Sequence, residues 1–140
     1  MNFPRVAMAA LAAWLVYLGV TYLVHGFLLA DIYSQHTAMR PPAEQQTILP
    51  LGLAFALLGF FVFAYAYAKG YEGSSGMQEG LRFGVLVGLL ICAFAITFEY
   101  MAWPVSTTLF VAWLVDYIVE FAIYGIIVGI VYKPHRPRVR

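Results

Sequence analysis

The sequence predicts an all-α integral membrane protein, a four-helix bundle with both termini in the cytoplasm. Three observations carry that prediction. Of its 140 residues, 63% are hydrophobic and 11% charged, and the mean hydropathy of +0.81 is far above that of a soluble domain. Four apolar runs each reach the roughly 20 residues needed to cross a hydrocarbon core about 30 Å thick. With four crossings, Arg5, Lys69, Arg82, Lys133, Arg136, Arg138 and Arg140 fall on one side and Arg40 on the other, which sets the orientation.

The elements follow in order. The first run, 6–30 ("VAMAALAAWLVYLGVTYLVHGFLLA"), is long for a signal-peptide core and lacks a following small-residue cleavage site, so it reads as a retained helix. "DIYSQHTAMRPPAEQQT" then reads as an ordered loop or short extended cap, because of its Pro-Pro pair. The second helix is expected over 48–68, and the Gly- and Ser-rich "KGYEGSSGMQEGLR" after it reads as a flexible connection. A third helix over 83–103 is ended by Pro104. "PVSTT" is too short for anything but an antiparallel hairpin into the fourth helix, 109–132. Residues 1–132 thus form one transmembrane domain, and 133–140 form a basic cytoplasmic tail.

Within these runs the polar residues stand out. "WLVDYIVEF" places Asp116 and Glu120 four residues apart, on one face of the fourth helix. At 1.5 Å per residue, His25 and Glu99 lie roughly 6 to 7 Å below the outer ends of their helices, with Asp116 about 13 Å and Glu120 about 19 Å down theirs. Together with Tyr22, Tyr100 and Tyr117, nearby in sequence, they describe a polar pocket in the outer half that binds a ligand or a proton. Three carboxylates and an imidazole suit a hard or borderline divalent cation. His36, Asp31 and Glu44 in the first loop read as solvated.

Glycines indicate where helices touch. Gly80, Gly84 and Gly88 recur every four residues on the third helix, a stripe expected to continue through Ala95 to Glu99, and Gly125 and Gly129 form a second small-residue pair on the fourth. At 100° per residue, Gly125 lies about 180° around the helix from Asp116, so glycine and acid faces meet different neighbours. Gly52, Ala56 and Gly59 on the second helix, with Gly19 and Gly26 on the first, read as further packing stripes. The bundle is expected to be tight at its inner end and looser at its outer end.

Several chemistries fall away. One histidine in the spans cannot supply bis-histidine haem ligation, and no Glu-x-x-His pair points to a di-iron site. HExxH, GxSxG and P-loop patterns are absent, and the single Cys92 allows no intrachain disulfide. Basic residues spread around the membrane edge give no nucleic-acid footprint.

The stretches "YLGVTYLVHGFLLADIY" and "LVDYIVEFAIYGIIVGIVYK" resemble small uncharacterised four-helix inner-membrane proteins of bacteria. In those a Gly-x-x-x-Tyr-like first helix and an Asp-containing, glycine-ended last helix recur. The resemblance implies the architecture and a bacterial inner membrane, and it transfers no activity.

Three functions compete on this sequence. The favoured one is a non-enzymatic component of a homo- or hetero-oligomeric membrane assembly, its acids serving as buried polar glue. The alternative is a small carrier that binds a proton or cation in the His25, Glu99, Asp116 and Glu120 pocket and works as a homodimer. The third is a membrane enzyme acting on a lipid substrate through Asp116, Glu120 and His25.

Overall fold

The computed structural model describes residues 1–36, 40–73 and 75–132, and the basic tail expected over 133–140 lies outside the described residues. Among the described residues all regular structure is helical, with no strand. Four helices are long and apolar enough to cross a membrane: Phe3–Leu28, Pro42–Lys69, Gly76–Ala102 and Thr107–Val131. A short helix, Ala30–Ser34, lies between the first two.

Most helix boundaries have a local cause. The Asn2 side chain caps the first helix by accepting the Arg5 N–H at 3.2 Å, and Pro4 occupies its first turn. The second helix begins at Pro42, ahead of the apolar run, because a proline in the first turn has no N–H to lose and Glu44 there complements the helix dipole. The third begins at Gly76, well inside the segment that reads as a flexible connection. Gly76 and Gly80 pack directly on the fourth helix, and this tertiary contact extends the helix beyond its apolar core. It ends as expected before Pro104: Trp103 is extended (φ −117°, ψ 142°), as a residue preceding proline prefers. Ser106 then caps the fourth helix by accepting the Leu109 N–H at 3.2 Å.

We call the end where Phe3, Lys69, Gly76 and Val131 gather proximal, and the opposite end distal. At the proximal end the third and fourth helices meet backbone to backbone. A Cβ added to Gly80 would overlap the Gly125 carbonyl, one on Gly84 the Phe121 carbonyl, and one on Gly129 the Gly76 carbonyl. Small residues permit this approach, and dispersion over the whole contact supplies the attraction where no hydrophobic drive exists. The first helix joins through Ala9, Ala10 and Ala13, all fully buried, against a cluster that includes Phe60, Ala64, Tyr67, Tyr124 and Val128.

Distally the packing is different. No residue of the second helix is buried before Phe60. Gly19, Gly52 and Gly59 have no neighbour that an added Cβ would meet within 4 Å, and Gly26 faces the Tyr22 ring of its own helix. The small residues expected to stripe the first and second helices are therefore not close-approach points here. The third helix's glycine row continues through buried Cys92 and Ile96 instead of Ala95 and Glu99. Cys92–Ile96 is a π-helical turn, and its wider winding keeps the every-fourth-residue row on the fourth helix while Ala95 stays exposed.

Candidate metal centre

The fourth helix is held by its glycine face to the third, which leaves Asp116 and Glu120 directed at the first helix. There His25 sits in a second π-helical turn, Val24–Leu28, closed by the Leu29 N–H on the Val24 carbonyl at 2.8 Å. Such single π turns occur often at functional sites. His25 Nε2 lies 3.4 Å from Asp116 Oδ2, an ion-pair distance without hydrogen-bond geometry. One donor atom from each of His25, Asp116 and Glu120 lies within 4.8 Å of the others. Such a triangle has a common point about 2.8 Å from each atom, so small side-chain adjustments reach the roughly 2.0 to 2.6 Å of metal–ligand bonds.

The site is dry. Glu120 is 5% exposed, and the Asp116 side chain 8%. Glu120 Oε2 accepts the Tyr124 hydroxyl at 2.8 Å, one turn along the same helix. Glu120 Oε1 and Asp116 Oδ2, however, have no hydrogen-bond partner among the described residues. Buried polar atoms are nearly always paired, and an unpaired carboxylate oxygen costs several kcal/mol (about 1–3 or more) unless a cation or proton satisfies it. A buried His/Asp/Glu cluster of this kind is able to chelate a cation.

The imidazole is oriented from behind. The short helix Ala30–Ser34 turns back so that the Tyr33 hydroxyl lies 2.5 Å from His25 Nδ1, with the two rings stacked at 5.9 Å. Trp113 Nε1–H donates to the same hydroxyl at 2.9 Å. Burial raises the Tyr33 phenol above its usual value, the Trp113 bond acts against that rise, and the Asp116 and Glu120 charges add to it. Tyr33 can accept His25 Nδ1–H, which leaves Nε2 as a lone pair beside the carboxylates, or donate to Nδ1, which puts the proton on Nε2. Outer partners of this type fix the tautomer of a metal-binding histidine.

His25 also stands between two spaces. On the distal side it lines a vestibule of about 580 Å³ with Tyr33, His36 and Arg40. On the other side it lines, with Glu120, a cavity of about 490 Å³ inside the bundle.

Of the side chains singled out from sequence, the structure brings together His25, Asp116 and Glu120, and Tyr117 lines the cavity beside Glu120. It separates the others. Glu99 lies outside the donor group, since the π turn below it carries the packed row through Ile96. Tyr22 is 70% exposed and packs edge-on against Phe27. Tyr100 stacks on Phe110 at 4.2 Å and pairs with Thr107 at 3.1 Å, bracing the distal hairpin. His36 is not merely solvated. Its Nε2 accepts the Ser106 N–H at 3.0 Å, and its Nδ1 pairs with the Ile32 carbonyl at 2.7 Å, tying the first loop to the start of the fourth helix. Glu44 pairs with Arg40 at 3.6 Å on the exposed surface.

Sequence reading missed Tyr33, Trp113 and Tyr124. Glu120 and Tyr124 at i,i+4 were a usable signal. Tyr33 and Trp113 are 80 residues apart and offered none. The comparisons with known proteins add no identity: the chain matches no family model, no curated protein and no solved structure. What the structure supports is a compact four-helix bundle of apolar helices, consistent with a small membrane protein, and no family or source.

Proposed function

We propose that this chain is a small cation-binding membrane protein, with His25, Asp116 and Glu120 as the ligands of a divalent ion and Tyr33 as the group that orients His25. The observation that carries the reading is the pair of buried carboxylate oxygens, Glu120 Oε1 and Asp116 Oδ2, left without hydrogen bonds beside the imidazole. Acids acting as assembly glue need satisfied partners, and among the described residues Glu120 Oε2 has one while Glu120 Oε1 and Asp116 Oδ2 do not. One nitrogen and two carboxylate donors favour a borderline ion such as Zn²⁺ or Mn²⁺ over Ca²⁺, which takes six to eight oxygens. A proton held between His25 and Asp116 is the second reading, favoured by the Trp113–Tyr33–His25 chain that can set the imidazole tautomer.

The basic-residue bias supports cytoplasmic termini, with the vestibule facing outward, and the resemblance in the first and last helices supports a bacterial inner membrane. Transport, as distinct from binding, would call for a homodimer, because four helices offer few surfaces for alternating access. The test is titration of Zn²⁺ and Mn²⁺ into the protein in lipid nanodiscs, followed by calorimetry and bound-metal analysis. One ion per chain is expected, with Glu120→Gln and Asp116→Asn each binding at least about tenfold more weakly while remaining folded. No ion on the wild type, or equal binding by both variants, would refute the metal reading.

A further inference from the structure

The cavity below the metal centre has a chemistry of its own. Its volume of about 490 Å³ is within the range of roughly 300–1,000 Å³ typical of small-molecule sites. The wall is aromatic: Tyr17, Phe60, Phe63, Tyr117, Phe121 and Tyr124 contribute rings from the first, second and fourth helices. Glu120 belongs to this wall and is more than nine-tenths buried, and its Oε1 has no hydrogen-bond partner among the described residues. The cavity also reaches the bilayer. Val62 and Ala66, which line it, are exposed on the outer face of the second helix. Proximally those two helices are bridged by Phe63 and Tyr67 on Phe83, and farther along the small residues Ala56 and Gly59 leave the gap open.

An apolar space entered from lipid, with aromatic rings around it and one unpaired carboxylate oxygen in its wall, is complementary to an apolar body bearing a single positive charge. A fatty acid would bring a second carboxylate against Glu120, and a neutral hydrocarbon would leave Glu120 Oε1 unsatisfied. We propose that the cavity binds a lipophilic organic monocation, an amine or onium compound, with Glu120 as its counter-charge. This rests on the cation-binding reading in one respect: Glu120 then serves two sites. It lies on the cavity wall and in the His25–Asp116–Glu120 group, whereas Asp116 does not line the cavity. Organic cation and metal ion therefore exclude each other.

The experiment measures binding of tetraphenylphosphonium to the protein in nanodiscs of zwitterionic lipid, with and without saturating Zn²⁺. Saturable binding is expected, weakened by Zn²⁺ in proportion to metal occupancy. Glu120→Gln should lose roughly 30-fold or more in affinity, and Asp116→Asn should keep tetraphenylphosphonium binding while losing the metal. Gly59→Phe provides a check independent of the acids. No atom lies within 4 Å of a Cβ there, so the ring can enter the cavity mouth, and it should block tetraphenylphosphonium while leaving Zn²⁺ binding intact. Tetraphenylphosphonium binding that is absent, or unchanged in both Glu120→Gln and Gly59→Phe, overturns the proposal. If Zn²⁺ fails to bind but tetraphenylphosphonium binding still depends on Glu120 and Gly59, the metal reading falls and the organic-cation site stands. If both bind without competition, the shared role of Glu120 is refuted.

Discussion

Tyr33→Phe is the most informative single change, because it removes one oxygen and leaves the stacked ring in place. That oxygen takes part in two hydrogen bonds, 2.5 Å to His25 Nδ1 and 2.9 Å from Trp113 Nε1. Each contributes about 0.5–1.5 kcal/mol net, so the variant should be less stable by about 1–3 kcal/mol. The larger effect falls on the metal. Without Tyr33 the imidazole is free to choose either tautomer and to rotate away from Asp116, and losses of outer partners typically weaken binding by about 10- to 100-fold. Zn²⁺ titration in nanodiscs reads this directly. Trp113→Phe is the graded control, because it breaks the remoter bond and leaves Tyr33 on His25, so its loss should be smaller. Zn²⁺ affinity unchanged in Tyr33→Phe, or a Trp113→Phe loss exceeding that of Tyr33→Phe, would refute the idea that this chain positions His25.

Two further outcomes test the scaffold. Gly84→Ala puts a Cβ about 2.8 Å from the Phe121 carbonyl carbon and 3.0 Å from Ala122 Cα, both backbone atoms. Forcing the third and fourth helices apart should cost about 1–3 kcal/mol and lower the detergent melting temperature, whereas Gly52→Ala, with open space around it, should be neutral or slightly stabilising. His36→Ala removes the bonds to Ser106 and Ile32, and hydrogen exchange at residues 30–36 should speed up without a change in the proximal half.

Sequence periodicity reached those features that depend on one helix or on neighbouring ones. The shared face of Asp116 and Glu120 follows from their i,i+4 spacing, and the opposition of Gly125 to that face follows from 100° per residue. The antiparallel pairing of the third and fourth helices follows from their short linker, but that their glycine rows face each other is seen only in the structure. Glu99 was beyond this reasoning, because a π turn changes the winding between Gly88 and Glu99, and nothing in "CAFAI" announces it. Tyr22 and Tyr100 are close in sequence to polar residues but turned to other faces of their helices, so sequence proximity misplaced them. Tyr33 was missed for the opposite reason. It belongs to a connecting segment whose backward turn onto His25 depends on Trp113 of the last helix.

The placement of the site follows from where the bundle is rigid. Backbone contact between the third and fourth helices leaves little room for sliding, so Asp116 and Glu120 are presented by the least deformable part of the molecule. Their partner His25 comes from the distal part of the first helix, where a π turn replaces regular winding and no residue from Val24 to Leu28 is buried. The second helix contributes no buried residue on that side at all. The distal part of the first helix thus lacks the close backbone contacts that hold the third and fourth helices together, while Ala9, Ala10 and Ala13 anchor its proximal part. Under the two proposals, ion binding and occupancy of the cavity are linked through one carboxylate, Glu120, which belongs to both groups of residues.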